Sequence, residues 1–201
     1  MSSMARITSA LGIDIGGTNI RLAHVDSNLQ VLRSLKVKVE EAEDGLVNFL
    51  SSAVEEFVSE AEIPIGAIGI GIPGIVGSQG EILSCPNLDQ SITGVNLQEI
   101  LAGRVGIPVF MQKDVNFILY GESCIRDTKP HEVVMGFYIG TGLGFAMMVG
   151  GRLITGERGF AGEIGHIPLK GKSGQCNCGN TGCLELYAAG RAIEEITARA
   201  G

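Results

Sequence analysis

Charge is scarce in this chain, and no apolar run continues unbroken for the length of a membrane span. Only 18% of the 201 residues are charged against 45% hydrophobic, with 15 basic and 22 acidic side chains and a net charge of −7. That balance excludes both an intrinsically disordered chain and a non-specific binder of nucleic acid. The two longest uncharged stretches, 63–80 and 133–151, are cut repeatedly by glycine, the first also by Pro64 and Pro73. They read as strand, turn and strand rather than as membrane spans. A cationic leader is lacking too, because Asp14 interrupts the first apolar run almost at once; no secretory signal is expected, and the expected location is cytoplasmic. The five cysteines are an odd count and do not make a disulfide framework; reduced thiols are expected. Glycine, by contrast, is abundant: 30 of 201 residues, roughly double the usual share. Without a collagen period, this points to many places where backbone turns tightly or approaches a ligand. The length suits one ordinary domain or two small ones with a real core.

Short apolar runs at 10–15, 20–25 and 31–37, separated by turn residues, predict three consecutive strands. Residues 44–61 place Leu46, Val47, Leu50, Val54, Phe57 and Val58 at helical spacing, with Asp44 as the expected N-cap. A buried strand is expected over 67–72, a short helix over 97–105 and a strand over 109–112; Asp114 then opens a helix through 125. After Pro130 the pattern restarts. Strands at 133–139 and 145–149 flank Gly140-Thr141-Gly142-Leu143-Gly144, echoing the strand, turn and strand around Asp14-Ile15-Gly16-Gly17-Thr18. A duplicated architecture is expected, with the boundary between 1–115 and 116–201, and the second copy ends in one helix over 184–199.

Two glycine-threonine turns, each between apolar strands, are the arrangement that grips a polyphosphate from both sides. Backbone N–H groups at Gly16, Gly17, Gly140 and Gly142 point at an anion, while Thr18 and Thr141 donate hydroxyls. Asp14, at a strand end, is suited to hold Mg²⁺. Taken alone, the first turn fits an ordinary β-hairpin equally well. No Gly-Lys-Ser/Thr follows, so this is not a Walker loop. Asp114 follows a strand and opens a helix, where a carboxylate accepts the proton of a hydroxyl attacking a γ-phosphoryl group; the plainer use is a helix N-cap. The strongest signal is His166 followed by Cys176, Cys178 and Cys183, one imidazole and three thiolates that complete a closed tetrahedral zinc shell of the structural kind. Cys85 and Cys124 are expected to be ordinary core thiols, and His24 and His131 carry no functional expectation.

The glycine turns and the opening strand order resemble the phosphate-binding elements of the actin, Hsp70 and sugar kinase superfamily, whose fold is α/β, ribonuclease-H-like and two-lobed. In the order Gly16-Gly17-Thr18, Ile72-Pro73-Gly74, Pro86-Asn87-Leu88, Asp114 with Asn116, the 140–144 turn, Gly162-Glu163-Ile164-Gly165-His166 and the cysteine cluster through Glu185, the chain resembles the ROK family. The family name stands for repressors, open reading frames and sugar kinases. The resemblance implies that Asp114 is the general base for the 6-hydroxyl of a hexose, with ATP as donor and Mg²⁺ bridging its phosphates. It implies that Asn87, Glu163, His166 and Glu185 hydrogen-bond sugar hydroxyls, helped by the backbone at Gly74. His166 would serve twice, one ring nitrogen on zinc and the other toward the sugar. The stretches 138–146 and 161–169, with Lys113 before Asp114, resemble the members that phosphorylate D-allose; glucose-directed members carry Asn at the position of Lys113.

Family members continue well past this length, so a truncated second lobe is expected. Alternatives within the family are a glucokinase, an N-acetylmannosamine or fructose kinase, a non-catalytic fragment that binds sugar and zinc, and a transcriptional regulator. About a dozen residues precede Asp14, too few for a helix-turn-helix domain, and the acidic balance counts against DNA. The resemblance also implies a homodimer, with hexose and ATP as partners and neither nucleic acid nor membrane.

Overall fold

The computed structural model describes residues 7–42, 44–86, 88–129 and 131–200. It contains two compact units, one ending at Asp114 and the other beginning at Val115.

The first unit is built on a five-stranded sheet, from β1 (Ser9–Ile15), β2 (Asn19–Asp26), β3 (Val31–Lys38), β4 (Ala67–Ile72) and β7 (Val109–Lys113), in the order β3-β2-β1-β4-β7. The first three strands form an antiparallel meander, while β4 lies parallel to β1 and β7 parallel to β4. Alternation explains β1: Leu11, Ile13 and Ile15 point inward at period two and are buried, as a half-covered strand requires. In β4, Ile68, Ile70 and Ile72 are all fully buried, which suits a central parallel strand. Two short strands, β5 (Ile75–Val76) and β6 (Ile82–Ser84), form a separate hairpin.

Helix α1 (Leu46–Ser59) buries Leu46, Leu50, Ala53, Val54 and Phe57, one stripe at helical spacing packed into the main core. Its N-cap is Gly45 at φ +88, with no side-chain cap. The expected capping role of Asp44 is therefore incorrect: the left-handed turn at Gly45 carries the chain into the helix, and Asp44 instead offers its carbonyl to Asn48 Nδ2 at 2.9 Å. Helix α2 (Leu97–Val105) shows the ordinary devices. The Asn96 side chain accepts the Glu99 N–H at 3.1 Å, and Gly106 at φ +66 ends the helix.

The second unit carries a three-stranded antiparallel sheet, β10-β9-β8, from β8 (Val133–Ile139), β9 (Leu143–Val149) and β10 (Arg152–Leu153). Helix α3 (Asp114–Ile125) leads into this unit. A small core gathers Leu119, Ala146 and Met148 with Val115, Val134, Tyr138 and Leu153. The other face of β8 leaves Val133, Met135, Phe137 and Ile139 more than half exposed. Cys124 on α3 is exposed, so its expected place in the core is wrong; Cys85 is buried as expected. The single terminal helix is two, α4 (Glu185–Ala188) and α5 (Gly190–Ala200). They break at Ala189, where ψ turns to 169° and the Gly190 N–H is given to Gly140 O at 2.9 Å. Among the described residues no helix is long and apolar enough to cross a membrane.

Candidate functional site

In the first unit, the candidate residues collect at the C-terminal ends of three parallel strands, the usual place for a ligand in such sheets. Asp14 near the end of β1 is paired with Gly71 of β4, and Gly71 in turn with Gln112 of β7. A Cβ built on Gly71 would stand 3.3 Å from Asp114 Cα and 3.6 Å from its Cβ, so the bare glycine is what lets α3 begin against the strand. Asp114 is the first residue of α3 and is half-buried. Strands β1 and β7 flank β4, so their backbones lie about 10 Å apart by sheet spacing. Asp14 thus lies on β1 and Asp114 just past the end of β7, with β4 between those two strands.

Asp14 is not isolated. Arg21, its opposite number across the β1–β2 hairpin, holds Asp14 Oδ2 at 2.8 Å. The sequence reading missed Arg21, whose place opposite Asp14 follows only from the hairpin register. One carboxylate oxygen thus remains to meet a cation, which fits Mg²⁺, an ion that takes one or two carboxylates and fills its shell with water and phosphate oxygens. In the turn itself, the Gly16 N–H is given to Asn19 O at 2.8 Å. Gly17 and Thr18 are exposed, so in this conformation their donors are open to a ligand while the Gly16 N–H is engaged within the turn. Gly74 follows β4 where a Cβ would stand 2.2 Å from Ser84 O; the close backbone of β6 by itself demands glycine there. Asn87 lies outside the described residues.

In the second unit, the Gly140 N–H is likewise used inside its own turn, on Gly142 O at 3.0 Å, leaving Thr141 exposed at the tip. Glu185 reaches this turn: its Oε2 accepts the Leu143 N–H at 2.9 Å. His166 ends a 3-10 turn, Ile164–His166, and its Nε2 lies 3.7 Å from Glu163 Oε2.

The four predicted metal ligands converge. His166 Nδ1 and the sulfurs of Cys176, Cys178 and Cys183 all lie within 4.8 Å of one another. Nδ1 is 3.6 Å from the Cys176 sulfur, and the Cys178 and Cys183 sulfurs are 3.6 Å apart. A zinc tetrahedron with ordinary bond lengths has edges of about 3.8 Å between sulfurs and about 3.6 Å between sulfur and nitrogen. The donor set fits that ion in chemistry and in spacing. Local folding explains the convergence. Cys176 N–H bonds to Asn180 O and Gly179 N–H to Cys176 O, closing a tight knuckle. Gly182, at φ +74, passes so near Lys172 O that a Cβ would stand 2.7 Å from it. Burial and the neighbouring thiols push the Cys183 thiol up to about 12. The Asn180 backbone N–H, followed by the Cys176 and Cys183 side chains, holds Cys178 below the ordinary thiol value.

The ROK family model matches residues 10–201. A glucokinase from Streptomyces coelicolor is 37% identical over 184 residues, covering 91% of this chain and 57% of its own. Among solved structures, a ROK family glucokinase from Streptomyces griseus in complex with glucose and AMPPNP has a TM-score of 0.78 at 33% identity, over 95% of this chain and 60% of its own. A ROK family transcriptional regulator, a homolog of the E. coli MLC protein, has a TM-score of 0.81 at 28% identity, over 95% of this chain and 49% of its own. The chain thus spans well under two thirds of the length of these relatives.

Proposed function

The chain belongs to the ROK family and has the α/β fold of its sugar kinases, and we propose that it serves a kinase that transfers the γ-phosphoryl group of ATP to the 6-hydroxyl of a hexose. The observation that carries this reading is the placement of Asp114 and Asp14 at one end of the parallel strands, on either side of β4.

Asp114 accepts the proton of the 6-hydroxyl as its oxygen attacks the γ-phosphorus, and the bond to the β-phosphate oxygen breaks to release ADP. Gly17, Thr18, Thr141 and Gly142 hold the phosphates through N–H and hydroxyl donors. Asp14 would hold Mg²⁺, which when bound neutralises charge on the β- and γ-oxygens. Glu163, His166, Glu185 and Asn87, with the backbone at Gly74, are proposed to meet the sugar hydroxyls, a set whose loss of any one pairing rejects an epimer. Zinc on His166, Cys176, Cys178 and Cys183 would fix the His166 tautomer by occupying Nδ1, leaving Nε2–H for the sugar. The proposal includes a lobe boundary near Asp114, a homodimeric assembly, a cytoplasmic location and no nucleic-acid partner.

For the hexose itself, D-allose is favoured by the resemblance carried by 138–146, 161–169 and Lys113; the Lys113 side chain shares the inward face of β7 with Val109 and Met111. D-Glucose is the second reading, supported by the names of the relatives at 37% and 33% identity. A coupled assay of ADP release over a panel of hexoses, with the phosphorylated product identified by mass spectrometry, tests both. The reading expects a hexose 6-phosphate formed fastest from D-allose. Hexose binding without any turnover would instead favour a sugar- and metal-binding role, and DNA binding relieved by sugar would favour a regulator.

A further inference from the structure

The metal loop and the second glycine turn are far apart in sequence, yet they meet at three places. Glu185, two residues beyond the ligand Cys183, accepts the Leu143 N–H on Oε2 at 2.9 Å. Gly165, beside the ligand His166, lies so close that a Cβ there would stand 2.7 Å from Leu143 O. Gly190, just after α4, gives its N–H to Gly140 O at 2.9 Å. The carboxylate also closes over Gly142, where a Cβ would stand 2.5 Å from Oε2. The N–H of Leu143 is thus held by Glu185 and the carbonyl of Gly140 by Gly190, both just beyond the last cysteine, while Gly165 packs closely against the Leu143 carbonyl. The segment that carries the metal ligands has little apolar core: its cysteines and glycines are ordered by hydrogen bonds and by whatever the sulfurs bind.

We propose that Glu185 is a positioning residue that passes the order of the metal loop to the Gly140–Gly144 turn, so that metal occupancy and the shape of that turn are coupled. An ionised acceptor on a backbone N–H is among the stronger hydrogen bonds. If the loop loosens, the carboxylate is displaced and Leu143 loses its partner. Coupling of this kind is reciprocal: whatever steadies the turn also slows loss of the metal. That the turn takes a phosphate rests on the kinase reading; that Glu185 links it to the metal does not.

Amide hydrogen exchange at Leu143 in the ¹⁵N-labelled full chain, loaded with one zinc per molecule, tests this directly. Chelation of the zinc is expected to speed exchange at Leu143 by at least about tenfold, the scale of a lost charge-assisted hydrogen bond, while Ile13 and Ile70 in the first unit stay unchanged. Glu185→Ala in the loaded protein is expected to give a similar rise with zinc still bound, and chelation then adds little. Glu185→Gln, which keeps an acceptor oxygen, is expected to restore most of the protection; a role limited to charge on the sugar side would not move this amide at all. Exchange at Leu143 that ignores both chelation and Glu185→Ala overturns the proposal. Should Glu185→Ala fail to fold, the chelation comparison on the unsubstituted chain decides, and unchanged exchange there overturns it. Titration with inorganic tripolyphosphate separates the two readings. If the Thr141 and Gly142 amides do not respond while Leu143 still follows the metal, the phosphate role of the turn fails and the role of Glu185 stands.

Discussion

His166 Nδ1 stands 3.6 Å from the Cys176 sulfur, the separation expected of two ligands on one zinc ion. Purified protein is expected to carry about one zinc per chain by elemental analysis. Cys176→Ser or Cys183→Ser should lose it and expose the remaining thiols to a thiol reagent. Zinc-free protein whose four groups react independently, with no change on adding the metal, would refute the site.

Two glycines are fixed by close approach. At Gly74 a Cβ would stand 2.2 Å from Ser84 O, and at Gly182, with φ +74, 2.7 Å from Lys172 O. Backbone has to move in both cases, so Gly74→Ala is expected to cost at least about 2 kcal/mol, read as a lowered Tm. Gly182→Ala is expected to weaken zinc retention more than it lowers the Tm, because the loop it distorts carries the candidate ligands. Gly94 has open space around it but sits at φ +82, so a side chain there meets backbone strain without a clash.

The β2–β3 hairpin supplies a pH test. Asp26 accepts N–H bonds from Gln30 and Asn28, which hold its carboxyl below the usual aspartate value. A group whose folded value is depressed contributes stability above its unfolded value, near pH 4, and loses it as pH falls through the folded value. The Tm difference between the native chain and Asp26→Ala is therefore expected to be present at pH 7 and to shrink below about pH 4. In the same turn Leu29 sits at φ +63, a conformation costing a non-glycine residue roughly 1 kcal/mol. Leu29→Gly should be neutral or stabilising, as measured by the same melting curve.

Lys113 precedes Asp114 and lies on the core face of β7. Replacing it by the Asn of glucose-directed members, Lys113→Asn, is expected to move the ratio of kcat/KM for D-allose over D-glucose downward by at least about tenfold. An unchanged ratio removes Lys113 from specificity.

Much of this was legible in sequence because it is local. The alternation in β1 and the stripe Leu46, Leu50, Val54 and Phe57 announce their elements, and the candidate metal ligands Cys176, Cys178 and Cys183 fall within one loop. The failures are tertiary. Asp44 has the chemistry of a cap, but Gly45 takes the turn. Hairpin β5–β6 is too short to show a period and is shaped by Glu81, whose carboxylate takes the Gln79 N–H at 3.0 Å. Helical spacing runs through Ala189 unchanged, and only Gly140 O, drawing off the Gly190 N–H, marks the break. Cys124 lies on the outer side of a helix whose apolar stripe is carried by Leu119. Arg21 and Glu185 gain their partners from strand register and from a contact 42 residues away, neither of which a linear pattern contains.

The proton acceptor is the centre of the proposed chemistry, and Asp114→Asn isolates it, because the amide keeps the shape and loses the basicity. With hexose binding followed in parallel by calorimetry, the expected outcome is a fall in kcat of at least about 10²-fold with hexose affinity retained to within a small factor. Turnover by Asp114→Asn at the rate of the native chain would contradict it.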